Sequence, residues 1–438
     1  MSGFFDKWRI PLLYTAMALL LLAVGFGQSW TVMLAILNLG LISAVMALGV
    51  NIQWGYAGLF NVGIMGFAAL GGLGVVLTAM PPVPAAWSAG GINLGLAALV
   101  IVGTIALALF VRERLPGLRG PATLIIVFAG YVVMRFFLDP ASEAIEAVNS
   151  ASEGYLGGLG LPVLIGWPVG GLFAAGAAYI VGKIALGLRS DYLAIATLGI
   201  SEIIIAVIKN EDWLSRGVKN VTGLPRPVPY ERDLQAEQWI IDLAARFETD
   251  VQTASAIVVR LEYALLFAAV LGILMWLSQR ALHSPWGRMM RAIRDNRDAA
   301  EAMGKDVTRR HLQVFVMGSA VVGIGGAMLT TLDGQFTPSS YNPLRYTFLI
   351  WVMVIAGGSG NNWGSILGAF LIWYVWVMAE PLGSGLMNLL TAGMDADNGL
   401  RTHLLDSAAH MRPFLMGLIL LLVLRFAPRG LIPERSGR

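Results

Sequence analysis

The chain contains no cysteine in 438 residues. That excludes disulfides and thiolate metal sites, and it says little about compartment. Charge is also scarce: Asp, Glu, Lys and Arg make up 13% of the chain, where a soluble domain carries about a quarter. No Gly-x-x-x-x-Gly-Lys-Ser/Thr occurs, so the chain does not itself cradle ATP phosphates, and Gly358-Ser-Gly360 lacks the strand and third glycine of a dinucleotide fingerprint. His403 and His410 have no further ligands near them and suit a surface better than a metal site. No set of nucleophile, base and orienting residue is visible, and no repeat of about 20 to 50 residues stands out. These absences give no indication of a catalytic set, a nucleotide-binding domain or a solenoid.

What remains is apolar, with 57% hydrophobic residues and a mean hydropathy of +0.70. Runs near the length of about 20 residues that crosses a bilayer lie near 11–27, 31–50, 56–80, 93–111, 121–138, 161–183, 191–209, 261–279, 313–332, 346–357, 363–380 and 412–426. The 346–357 run is short enough for half of a re-entrant hairpin. The expected fold is therefore an all-α polytopic membrane protein of about 10–12 transmembrane or re-entrant helices, with residues 1–438 forming a single transmembrane domain. Asp6, Lys7 and Arg9 precede the first run, but no small-x-small cleavage site follows, which predicts an uncleaved first helix.

Cytoplasmic loops are enriched in Lys and Arg. Alternation from a cytoplasmic N-terminus places Arg112, Arg114 and Arg119 inside and the acidic Asp139, Glu143, Glu146 and Glu153 outside. It also places inside a C-terminal tail carrying Arg425, Arg429, Arg435 and Arg438 against Glu434. Both termini are thus expected to be cytoplasmic. The pI of about 9.1 reflects these span-end bases, and nucleic acid is not an expected partner. The longest outer segment, 210–259, is acidic by three charges. Its Leu234, Trp239, Ile240, Leu243 and Phe247 recur at helical spacing, which predicts an external amphipathic helix that covers the bundle or docks an external partner.

Two polar features lie in or beside apolar spans. Glu202 falls near the middle of one, where a charge costs several kcal/mol unless paired or hydrated. It must face protein or water, as a pathway carboxylate or as a structural hydrogen-bonding group. Asn51, Gln53, Tyr56 and Asn61 cluster at a glycine-broken junction, where non-helical backbone must be buried in protein or line a cavity. They are candidates for a translocation pathway; a turn at the cytosolic membrane edge is the alternative.

The most charged stretch is Ser284 to Gln313, with seven bases against four acids. It should lie in the cytosol as a loop over 284–312. Ser284 can cap a helix beginning at Pro285, and Gly304 can end it. Its core is Asp298-Ala-Ala-Glu-Ala-Met-Gly304.

That core resembles the coupling loop of ABC importer permease subunits, in which Glu-Ala-Ala-x-x-x-Gly docks into a groove on the ATPase; Asp298 here replaces the Glu. Gly49-Val-Asn-Ile-Gln-Trp-Gly-Tyr-Ala-Gly-Leu-Phe-Asn-Val-Gly63, Ser190-Asp-Tyr-Leu-Ala-Ile-Ala-Thr-Leu-Gly-Ile-Ser-Glu202, Gly287-Arg-Met-Met-Arg-Ala-Ile-Arg-Asp-Asn296, Gly357-Gly-Ser-Gly-Asn-Asn-Trp-Gly364 and Phe426-Ala-Pro-Arg-Gly430 follow the order of the branched-chain amino-acid (LivM-type) permease family. The resemblance implies a permease in a bacterial inner membrane, with Asp298, Ala299, Ala300 and Gly304 meeting the ATPase. It further implies a second homologous permease subunit, two ATP-binding subunits and a periplasmic substrate-binding protein, and no cofactor in this chain, since ATP and Mg would be bound by the partners. The family's later Ile-x-Leu-Pro is absent, Asn61-Val-Gly63-Ile64 stands where many members have Ser-x-Gly-His, and the segment around 231–250 is longer than usual. No side chain reads the substrate among branched-chain amino acids, other amino acids, amides and urea. A self-contained ion-coupled secondary transporter or channel, with Glu202 as its ion or proton site, is the competing expectation.

Overall fold

In lipid, backbone polar groups must be satisfied within each segment, and the twelve predicted apolar runs fall largely on helix. The computed structural model describes residues 2–114, 119–151, 153–395 and 398–434. Its helices run in the order α1 (Ser2–Gly27), α2 (Trp30–Ala57), α3 (Ile64–Ala79), α4 (Pro84–Arg114), α5 (Arg119–Glu146), α6 (Val163–Ala185) and α7 (Ser190–Asn210). The outer segment holds α8 (Asp212–Ser215), α9 (Glu231–Leu234) and α10 (Gln238–Arg246). Then come α11 (Val251–His283), α12 (Pro285–Asp295), α13 (Arg297–Ala302), α14 (Val307–Asp333), α15 (Pro343–Gly357), α16 (Asn362–Leu390), α17 (Gly399–Asp406) and α18 (Met411–Phe426). Among the described residues, strand is confined to β1 (Val221–Thr222) and β2 (Gln335–Phe336), which pair antiparallel.

The fold is all-α and polytopic. Nine described helices are long and apolar enough to cross a membrane, or ten if α17 and α18, bent by 62° at their junction, form one span. The shorter apolar helices are α3 and α15. At 16 and 15 residues, and about 1.5 Å per residue, each falls short of the roughly 30 Å hydrocarbon core. The half-length element expected at 346–357 is therefore joined by a second. The 56–80 run is not one span: residues to Ala57 extend α2, Gly58 turns left-handed at φ 70°, and α3 starts at Ile64.

The centre is built by α2, α3, α14 and α15, buried through most of their lengths. Small residues permit their crossings; a Cβ on Gly326, for example, would overlap the Ala68 backbone. At the periphery α4 and α5 pack chiefly on each other and expose Ile92, Leu99, Leu124 and Phe128, as lipid-facing helices should.

One end of the bundle collects α12, α13, the end of α2 and the C-terminal residues, because Ile10, Tyr56, Arg291 and Glu434 line one cavity there. The starting end of α1 and the tail thus share the basic end. Arg435 and Arg438 of the predicted basic tail lie outside the described residues. The opposite end is closed by the 210–259 segment, where Leu224, Leu234, Ile240 and Ala244 are buried. The expected amphipathic stripe is rotated: Ile240 and Ala244 face the core, while Trp239 and Phe247 are exposed. At the start of α11, Asp250 accepts the Thr253 N–H at 2.8 Å, and this hydrogen bonding holds its carboxyl below the usual range.

Candidate functional site

The break after α2 and the turn after α15 come together at the basic end. Both are irregular backbone, and both are held inside protein. Asn51 donates to Asn362 Oδ1 at 2.9 Å and accepts the Gly360 N–H at 2.8 Å, tying α2 to the turn that precedes α16. Gln53 donates to the Phe315 carbonyl at 2.8 Å and to Ser319 Oγ at 3.0 Å, reaching α14. Its carbonyl oxygen accepts from Asn61 at 2.9 Å, and Asn61 in turn accepts the Gly63 N–H at 2.9 Å. Trp351 donates to the Asn61 carbonyl at 3.1 Å, and its ring packs against Trp54 and Phe60 with centroids 5.4 and 4.7 Å away.

The amides of Asn51, Gln53 and Asn61 are thus buried and bonded to the protein itself, in a hub joining α2, α3, α14, α15 and α16. Tyr56 lies at the edge of this hub and lines the basal cavity of about 330 Å³. Gly55 is where the hub is tightest: a Cβ there would clash with the Gly360 backbone.

The charged loop above the hub is two helices and not the continuous one expected from Pro285 to Gly304. Asn296 breaks it, adopting extended backbone at φ −154° and capping α13 by accepting the Ala299 N–H at 3.0 Å. Ser284 does stand at the N-cap of α12, but its hydroxyl donates back to the Ala281 carbonyl at 2.6 Å and does not cap through its side chain. Gly304 ends the loop left-handed at φ 76°, with open space where a Cβ would be.

Within α13 the expected residues divide by face. Asp298 and Ala299 are exposed, whereas Ala300 is 9% exposed and joins the core. Met303 is 78% exposed, an apolar side chain standing free on a polar loop. Its position within the Ala-Ala-x-x-x-Gly pattern was the available sign.

Sequence reasoning missed Arg294. One of its terminal nitrogens, Nη1, donates to Glu434 Oε2 at 2.9 Å and also reaches the Gly55 carbonyl at the last turn of α2. Burial disfavours its charge, but hydrogen bonds and attraction from Glu434 and Asp295 outweigh that and raise the guanidinium pKa. A permanent cation therefore clamps the loop to the hub. Only its place in Gly287 to Asn296 hinted at this role.

Glu202 is exposed on α7, whose buried stripe is Leu193, Thr197, Ser201, Ile205 and Ile208. Ser201 accepts the Gly66 N–H at 2.8 Å and Thr197 accepts the Val62 N–H at 3.1 Å, so that stripe packs on α3 and the break before it. No ion pair to Glu202 occurs among the described residues. The structure brings the four polar residues near α2 together and leaves Glu202 apart from them.

At the opposite end, a cavity of about 240 Å³ is walled by apolar side chains including Ile42, Met46, Leu349 and Met353. Asp333 lines it and also lines an adjoining cavity of about 320 Å³ with Arg226 and Arg260.

Residues 85–424 match the protein family described as "Branched-chain amino acid transport system / permease component". The chain is 29% identical over 233 residues to the high-affinity branched-chain amino acid transport system permease protein LivM of Salmonella typhimurium, covering 52% of this chain and 53% of that protein. A probable LivM permease protein of Methanocaldococcus jannaschii is 24% identical over 78% of this chain and 86% of its own length. The xylose transport system permease protein XylH of Escherichia coli is 24% identical over 58% and 56%. By the first of these matches, the chain spans about half the length of the curated relatives it matches. No solved structure matches. With its family match running from α4 into α18, the chain belongs to the branched-chain amino acid transport system permease family.

Proposed function

We propose that this chain is a transmembrane permease subunit of an ATP-driven importer for branched-chain or related amino acids. In this reading it works with a second homologous permease subunit, two ATP-binding subunits that hold ATP and Mg, and an external substrate-binding protein. Its basic end faces the cytoplasm of a bacterial inner membrane, and it performs no bond chemistry. The observation that carries the proposal is the loop of α12 and α13, which offers Asp298, Ala299 and Met303 outward while Arg294 anchors it to α2. A partner pressing on α13 displaces Arg294, and with it the hub that holds α3 and α15. Interfaces of this kind switch between discrete packings, biased by a ligand that binds one of them better.

Among the residues expected along the pathway, we assign Tyr56 and Glu202 to surfaces that water or substrate meets. We assign Asn51, Gln53 and Asn61 to holding the crossing that the pathway bends around. At the outer end, the apolar cavity suits an aliphatic side chain, while Asp333 and Arg260 suit an ammonium and a carboxylate.

The test is uptake by the assembled system carrying Asp298→Lys or Gly304→Trp. Both are expected to insert normally and to lose ATP-driven uptake. Unchanged uptake at normal expression overturns the coupling assignment. Uptake by the chain alone, driven by a proton or sodium gradient, would establish the ion-coupled reading instead.

A further inference from the structure

At the basic end a groove of about 1020 Å³ opens between the last turn of α6, the start of α12 and the first turns of α14. Lys183, Arg309 and Arg310 line it, and among the described residues none of them is in an ion pair. Lys183 lies over the Tyr179 ring at 5.5 Å, and Arg310 donates to Gln313 at 3.0 Å, so both are held in place by neutral groups. The one acid in the lining, Asp306, is turned onto its own helix, where it accepts the Arg309 N–H at 2.9 Å.

Beyond the bases the wall turns apolar. Leu312, Val316 and Met317 carry it along α14 into the part of the helix that crosses the membrane. Trp286 and Tyr179 also line the groove, and aromatic residues of this kind are enriched at the level of lipid headgroups. A soluble anion would satisfy the cations and leave the apolar wall wet; an apolar helix would cover the wall and leave three cations without a counter-charge. A molecule with an anionic head and hydrocarbon chains satisfies both, and basic pockets between membrane helices bind such headgroups.

We propose that this groove binds an anionic phospholipid, its phosphate held by Lys183, Arg309 and Arg310 and its acyl chains lying along Leu312, Val316 and Met317. The lipid bridges α6 to the loop that begins at α12. This site does not depend on what the protein transports.

The experiment is a titration of the full chain, purified in mild detergent, with phosphatidylglycerol, phosphatidylcholine or inorganic phosphate. It is read by thermal unfolding and by native mass spectrometry. Phosphatidylglycerol is expected to raise the unfolding temperature and to remain as a bound adduct, while the other two do neither. The combined variant Lys183→Gln, Arg309→Gln, Arg310→Gln is expected to need roughly tenfold or more lipid for the same shift, and the exchange Lys183→Arg, Arg309→Lys, Arg310→Lys to behave like the parent. Met317→Trp keeps the charges, fills the exposed apolar wall and is expected to lose the adduct; it carries the test if the triple Gln variant does not fold. Equal stabilisation by phosphatidylcholine, an equal response to inorganic phosphate, or an unchanged response in both the triple Gln and Met317→Trp variants overturns the proposal. So does loss of the response when an ATP-hydrolysing partner is bound, which would assign the groove to that protein.

Discussion

Arg294 and Glu434, 140 positions apart in the chain, meet at 2.9 Å, and the same guanidinium nitrogen holds the Gly55 carbonyl. Three segments distant in sequence are thus fastened at one point: the charged loop, the end of α2 and the tail. Replacing Arg294 with Ala strands a half-buried carboxylate and a helix-end carbonyl. Unsatisfied groups of this kind cost about 1–3 kcal/mol, so the unfolding temperature of Arg294→Ala should fall. Glu434→Gln keeps a hydrogen-bond acceptor and loses only a partly screened charge, and should cost about 1 kcal/mol or less. Thermal unfolding of both variants checks the ordering; equal loss in the two would show that the ion pair, not the Gly55 contact, dominates.

The hub beneath that clamp makes a second claim on stability. Gln53→Leu removes the donor to Phe315 and the acceptor for Asn61, and is expected to destabilise by roughly 1–3 kcal/mol for each group left unsatisfied. Ser319→Ala removes only one of two acceptors of the Gln53 amide and should cost about 1 kcal/mol or less. Chemical or thermal unfolding in detergent separates the two.

Much of this arrangement is legible in the amino-acid sequence. The apolar runs mark their helices because the bilayer imposes length and composition on each run separately, and the Ser284 to Gln313 loop is visible from its charge. Where the runs begin and end is less legible: the boundary near residue 56 depends on Gly58 turning left-handed, and Asn51 to Ala57 continue a helix that polar composition suggested was broken. The split of the loop at Asn296 is hidden too, since Asn is tolerated within helices and declares itself a cap only in three dimensions. Periodicity along one segment carries no information about a partner such as Glu434 on another. The division between Ala299 and Ala300 depends on which face of α13 meets the core.

That division yields a sharp contrast. Ala299→Trp adds bulk to an exposed face and should leave unfolding unchanged while ATP-driven uptake fails. Ala300→Trp overfills a buried position and should lower stability by about 1–3 kcal/mol. If both variants melt early, α13 packs more tightly than its exposure indicates.

Glu202 projects from a membrane-crossing helix without an ion-pair partner among the described residues of this chain. Its charge therefore requires water or another protein. Glu202→Gln should impair transport more than it impairs assembly with the second permease, measured by uptake beside co-purification. Equal loss of both would assign the carboxylate to subunit packing.

Because the chain has no cysteine, a single introduced thiol on α13 or at Met303, its C-cap, reports one contact. Ala299→Cys and Met303→Cys, each cross-linked in the assembled transporter, should yield an adduct with an ATP-hydrolysing subunit whose amount changes when nucleotide is added, while Ala300→Cys should yield little. Absence of any such adduct from both exposed positions, in a preparation that still takes up substrate, would contradict the assignment of this loop as the place where ATP hydrolysis is coupled to transport.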